Sequence, residues 1–131
     1  MAGETDLPTL LRTLRPTVRV GEYVYVTRPT PEVVDAQAMV VEDEGVTYVL
    51  ARAEADRRGW AYDFVAGWIT LQVHSSLAAV GLTAAVSAAL TAAGISANVL
   101  AAHHHDHVLV PVDRVADALS ALAGLSASPE P

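Results

Sequence analysis

The chain has no cysteine and no lysine, and phenylalanine occurs once among its 131 residues. Without cysteine there is no disulfide framework and no thiolate metal site, which fits a reducing compartment without requiring one. All eight cationic residues are Arg, they are scattered, and the net charge is −7. With a pI near 5.0, this argues against nucleic acid or an anionic membrane as partner, because both demand clustered cations. No apolar run approaches the roughly 18 residues a bilayer-spanning helix needs. The most apolar stretch, Ala84–Ala93, is interrupted by Ser87 and Thr91 and closed by Gly94. No charged segment leading into an apolar run opens the sequence as a secretory signal would. The expected location is cytoplasmic.

What is present is apolar and fine-grained. Hydrophobic residues make up 52%, supplied mostly by Ala and Val, with mean hydropathy +0.33. That suffices for a buried core in one compact domain, or in two small modules sharing one.

Taken in order, Leu7–Arg15 predicts a short helix or turn, with Leu7, Leu10, Leu11 and Leu14 on one face and Pro16 as its stop. After Gly21, Glu22–Thr27 alternates Tyr23, Tyr25 and Thr27 with Val24 and Val26, a strand pattern. Two prolines in the following RPTPEVVD oppose a long helix. Ala36–Glu42 and Val46–Ala51 predict a hairpin around Asp43-Glu44-Gly45. Arg52–Arg58 reads as a helix ended by Gly59, and Tyr62–Val65 as a short strand. In the next strand, from Gly67, Trp68, Thr70 and Gln72 share one face, and Ile69, Leu71 and Val73 the other. A loop, Ser75–Val80, feeds a helix from Gly81 to Ala93. Strands follow over Ile95–Ala102 and His107–Val112, with a turn at His103–Asp106. Asp113 is placed to cap a last helix containing Val115, Ala118, Leu119 and Leu122.

The order strand, turn, strand, helix occurs twice. Glu42–Gly59 sits over Ala102–Ser120 with Val46 on His107, and YVYVT over ITLQV with Tyr23 on Ile69. This suggests a duplicated β-(α)-β-β-α module in which RPTPEVVD replaces the first helix of the first copy.

The residues GLTAAVSAALTAAGISANVLA, from Gly81, resemble the first helix and second strand of an ACT domain, a regulatory amino-acid-binding module. The wider set YVYV, EDEGVTYVL, VHSSLAAVGLTAAVS, GISANVLA and HDHVLVP resembles small bacterial proteins built of two ACT-like halves. Arginine-sensing ACT proteins and the effector domains of aspartate kinases are similar in style. The resemblance covers most of residues 7–123. It implies an α+β fold of two ferredoxin-like (βαββαβ) ACT modules packed side by side, the first with a reduced first helix. The implied parts are an extension over 1–20, modules over 21–66 and 67–124, and a disordered tail over 125–131. It also implies ligand binding between modules near the first strand–helix loop, within the chain or across a homodimer. Two departures stand out: the first half lacks a full first helix, and His103 and His104 stand where the family more often has an aromatic.

The candidate ligand residues on this reading are Ser75, Ser76, Leu77, Ala79, Val80, Gly81, Asn98, His105, Asp106 and His107. A helix N-terminus with free amides favours an anion such as an α-carboxylate, with Ser75 or Ser76 as added donor. Ser76 equally serves as a simple cap. Asn98 within a strand either meets the ligand or ties down a loop. The run His103–His107 suits Zn²⁺ or Ni²⁺ by residue type, but no further ligand stands at helical spacing, so no metal or other cofactor is expected. Asp106 between imidazoles is expected to raise a His pKa. Neither serine sits in a nucleophile elbow, and adjacent His105 and Asp106 are poorly placed to orient each other, so the chain is read as a non-enzyme. The alternatives are a His-cluster metal-binding protein and a structural module that pairs strand edges with a partner.

Overall fold

Six strands form one antiparallel sheet in a computed structural model that describes residues 5–73 and 80–127. The elements are α1 (Leu7–Thr13), β1 (Pro16–Arg28), β2 (Ala38–Glu42), β3 (Gly45–Ala51), α2 (Arg52–Arg58), β4 (Val65–Leu71), α3 (Leu82–Ala92), β5 (Asn98–Ala101), β6 (Asp106–Pro111) and α4 (Val115–Ala127). Across the sheet the order is β2-β3-β1-β4-β6-β5. β1 and β4, which open the two halves, therefore run antiparallel at the centre. In a lone βαββαβ unit the place beside the first strand belongs to the closing strand. Here each half takes that place's occupant from the other, which makes the α+β pair of ferredoxin-like modules a single sheet.

Alternation along the strands divides the sheet into two faces. On one, Ile69, Leu71, Val108 and Val110 meet Leu10 and Leu14 from α1 and its end, Leu82, Val86 and Leu90 of α3, and Ala118 and Leu122 of α4. The spacing of Leu82, Val86 and Leu90 keeps one side of α3 on the sheet. The first half continues this face with Val24, Val26, Tyr48 and Leu50 under Ala55 of α2. α4 seats closely over β4 because Gly67 has no side chain; a Cβ there would run into Val115 Cγ2. On the opposite face, Tyr23, Val49, Ala66, Trp68 and Leu109 form a cluster with Phe64 drawn from strands and a connecting loop. The expected facing of Trp68 and Thr70 against Ile69, Leu71 and Val73 holds.

Where a first helix would stand in the first half, residues 29–37 form a strap that is neither helix nor strand. The Tyr48 hydroxyl accepts from the Glu32 backbone N–H at 2.8 Å and donates to its carbonyl at 3.2 Å. The Arg58 guanidinium donates to the Val33 carbonyl at 3.1 Å, and the guanidiniums of Arg28 and Arg58 both lie over the Trp60 ring.

Several boundaries differ from the expectations. β1 begins at Pro16, ahead of Gly21, because Gly21 at φ +101° forms a bulge that lets one strand pair on both sides of it. Residues 7–20 thus supply α1, whose Leu10 is fully buried, and the start of β1. Residues 62–64 are not a strand; β4 starts at Val65. Asp113 does not cap α4 but lies within a single 3₁₀ turn, Val112–Arg114, that leads into it. α4 runs to Ala127, with Leu125 against the core, so the start of the expected tail is helical. The superposition of Tyr23 on Ile69 and Val46 on His107 is out of phase, since each pair puts one residue on each face. A one-residue slip reverses every facing in a strand.

Candidate ligand-binding site

Of the expected contacts, Ser75, Ser76, Leu77 and Ala79 lie outside the described residues, as does His74. Their C-terminal neighbours mark where the loop delivers the chain. Val80 is exposed, and Gly81 is the N-cap of α3 at φ +100°. A side chain is strained in that conformation, and a Cβ would also come within 3.0 Å of Leu7 Cδ2 on α1. Gly81 brings no side chain to satisfy the first-turn amides of α3, the groups that suit an anion.

The other expected contacts divide between the two faces. Asn98 is exposed at the start of β5, opposite Leu109, and so belongs to the helix-free face. Asp106 pairs with Leu71 and takes the helix-side position. His107 turns to the helix-free face against Trp68, with ring centroids 5.3 Å apart. His103 and His104 are exposed and stacked at 4.7 Å, and the Nδ1 of His105 is buried without a hydrogen-bond partner among the described residues. The expected set is therefore not one wall. Gly81 sits by α1, and Asn98 and His107 open on the other side of the sheet.

The electrostatics also depart from expectation. The His107 pKa is lowered rather than raised: burial is the main cause, the Arg19 and His105 charges act the same way, and Asp106 opposes them least. The Asp106 pKa is raised by burial, with His107 and His105 pulling it back. Burial outweighs the adjacent opposite charge at both residues. Among the described residues no group of three or more His, Cys, Asp or Glu is placed to hold a metal ion.

The structure adds a cavity of about 410 Å³ on the helix-free face, lined among others by Arg19, Gln37, Val40, Trp68, Leu100 and His107. Edge strands β2 and β5, at opposite ends of the sheet order, both reach it, so the sheet curls around it. The Arg19 guanidinium lies 4.1 Å from the Trp68 ring centre and donates to Gln37 Oε1 at 2.8 Å. Tyr23 meets the same indole edge-on at 5.2 Å. Sequence reasoning missed Arg19 by starting the strand after Gly21. The alternation Thr17-Val18-Arg19-Val20 and an isolated Gly, a bulge signal within a strand pattern, pointed to it. A second hollow of about 300 Å³ adjoins Arg52. That guanidinium is already paired, with Glu22 at 2.8 Å and the Tyr62 hydroxyl at 2.8 Å, which raises its pKa.

Two family models, each described as ACT domain, match residues 2–67 and 64–124. No curated protein sequence matches the chain. Among solved structures, a protein of unknown function from Vibrio cholerae, described as a possible transport protein, is 37% identical. It aligns over 92% of this chain and 95% of its own, with TM-score 0.83. A protein from Agrobacterium tumefaciens is 18% identical over 86% of this chain and 89% of its own, with TM-score 0.64. The ligand-free regulatory subunit of aspartate kinase from Thermus thermophilus is 9% identical over 88% of this chain and 98% of its own, with TM-score 0.62. The last two likenesses are of fold. No described helix is long and apolar enough to cross a membrane.

Proposed function

Because the chain belongs to the ACT domain family, we propose that it is a non-catalytic regulatory protein that binds an amino acid or a similar small metabolite between its two modules. The observation that carries this reading is the pair of ACT matches laid on one continuous sheet, with β1 and β4 side by side at the module boundary. The α-carboxylate would sit at the first-turn amides of α3, above Gly81, with Ser75 and Ser76 as hydroxyl donors. Leu77, Ala79 and Val80 would line the approach, whereas Asn98 and His107, on the other side of the sheet, would lie outside this site. Only the second half has a full helix after its first strand, so the reading calls for one such site per chain. Binding acts by favouring one arrangement of modules, which requires different affinities for the alternatives. A cytoplasmic location goes with this role. The exposed apolar residues Met39, Val40 and Val41 on edge strand β2 support a homodimer paired along that edge.

Thermal unfolding with each of the twenty amino acids tests the ligand class. A stabiliser held at 100 times its Kd adds about 2.7 kcal/mol, and Ser76→Ala should reduce the shift. Indifference to all twenty removes the amino-acid reading. A shift with Zn²⁺ alone, abolished by replacing His105 and His107, moves the assignment to a metal-binding protein. Sedimentation of the wild type against Val41→Glu checks the dimer.

A further inference from the structure

We infer that the cavity on the helix-free face is a second ligand site, built for a small organic acid with an apolar body and no ammonium group. It lies on the other side of the sheet from Gly81 and does not depend on the amino-acid reading.

The argument starts with Arg19. Arg28, Arg52, Arg57, Arg58 and Arg114 each pair with a carboxylate. Arg19, half-buried, has no carboxylate partner among the described residues. Its Cζ lies over the Trp68 ring, 4.1 Å from the ring centre, and one Nη1 hydrogen goes to Gln37 Oε1 at 2.8 Å. Those two contacts hold the guanidinium in place and leave other N–H groups of its fork free. A fork held in place suits a carboxylate, which accepts two parallel hydrogen bonds.

His107 supplies a second donor. Its Nδ1 lies 3.1 Å from Trp68 Nε1 and 3.0 Å from Thr70 Oγ1. An indole nitrogen can only donate, so Nδ1 accepts and the ring proton sits on Nε2. The Nε2–H has no partner among the described residues, and His107 lines the same cavity as Arg19.

The remaining walls set the rest of the ligand. Ala38, Val40 and Leu100 offer apolar surface, and the volume of about 410 Å³ falls in the roughly 300–1,000 Å³ range of small-molecule sites. No Asp or Glu is among the lining residues, so an ammonium would enter without a counter-charge, a costly arrangement away from water. An acid without an amine avoids that cost. Such a ligand would touch Gln37–Val40 from the first half and Leu100 and His107 from the second, joining the two sheet edges.

Isothermal titration at neutral pH with phenylacetate, isovalerate, phenylacetamide and phenylalanine tests this. Saturable one-to-one binding of at least one acid is expected, with phenylacetamide, and any Arg19-dependent binding of phenylalanine, at least tenfold weaker than phenylacetate. Arg19→Met should weaken acid binding at least tenfold, as should Arg19→Lys, which keeps the charge but loses the fork. Arg52→Met, removing an arginine from the other hollow, should leave it unchanged. Circular dichroism establishes which variants fold; should Arg19→Met not fold, Arg19→Lys carries the test. No saturable binding of either acid, equal binding of the amide, equal binding of phenylalanine that Arg19→Lys weakens, or undiminished acid binding in a folded Arg19 variant would overturn the proposal.

Discussion

The indole N–H of Trp68 donates to Nδ1 of His107 across 3.1 Å. This bond ties β4 to β6 on the helix-free face and selects a neutral imidazole protonated on Nε2, because protonation of Nδ1 would set two donors against each other. Long-range proton–nitrogen NMR should show the Nε2–H tautomer at neutral pH.

The same residue sets a pH dependence. Burial, then the Arg19 and His105 charges, hold the folded His107 pKa below its ordinary value of 6.5. As pH falls, the unfolded chain takes up this proton first. The contribution of His107 is therefore fully present above about 6.5 and is lost as pH drops through the lower folded value. Asp106, raised by burial from 3.8, acts in the opposite sense, its contribution fading as pH rises through its folded value. Urea melts of the wild type and His107→Gln between pH 7.5 and 5 isolate the first effect. The wild type should lose more stability on acidification, and parallel curves would contradict the assignment.

Gly67→Ala should destabilise by about 1–3 kcal/mol, the usual cost of overpacking. The added Cβ meets the Val115 Cγ2 methyl, a branched side chain with little freedom to turn away. Val115→Ala in the same chain should recover part of that loss. Gly45→Ala should find no comparable rescue, because its Cβ would strike the Arg28 backbone carbonyl and its φ of +142° is itself strained. A double-mutant cycle on the first pair measures the coupling.

Tyr48→Phe removes the hydroxyl that holds Glu32 by both its N–H and its carbonyl. The expected loss is about 0.5–1.5 kcal/mol, with faster amide exchange at Glu32 and little change in α3.

Leu10→Ala should cost about 2–5 kcal/mol, as large-to-small changes in a core do. Leu10 is 0% exposed and packs with the second-half core. A dispensable N-terminal extension would show almost no effect, so thermal or urea unfolding separates the two descriptions.

Much of the fold is legible because its signals are local. Gly81 and Gly94 bracket α3 within a residue or two, and the two-residue period of WITLQV assigns each side chain to its face. The turn at Asp43–Gly45 announces β2 and β3. What was misplaced also has a local cause. Gly21 reads as the start of a strand when it is a bulge inside one, and this hid Pro16–Val20 along with Arg19. Asp113 resembles an N-cap by type, but the chain spends one 3₁₀ turn before α4 begins.

By itself the sequence located most strands and helices and the missing helix of the first half, because alternation, prolines and glycines act on neighbouring residues. The α+β class and the two modules followed from the resemblance to ACT domains. The tertiary structure alone decided that Arg19, Trp68 and His107 would meet, and that edge strands β2 and β5 would share a cavity. Alternation states which residues of a strand share a face, but not which strand lies beside it. Those contacts follow from the order β1-β4-β6 and the curl of the whole sheet, which depend on pairings between distant parts of the chain.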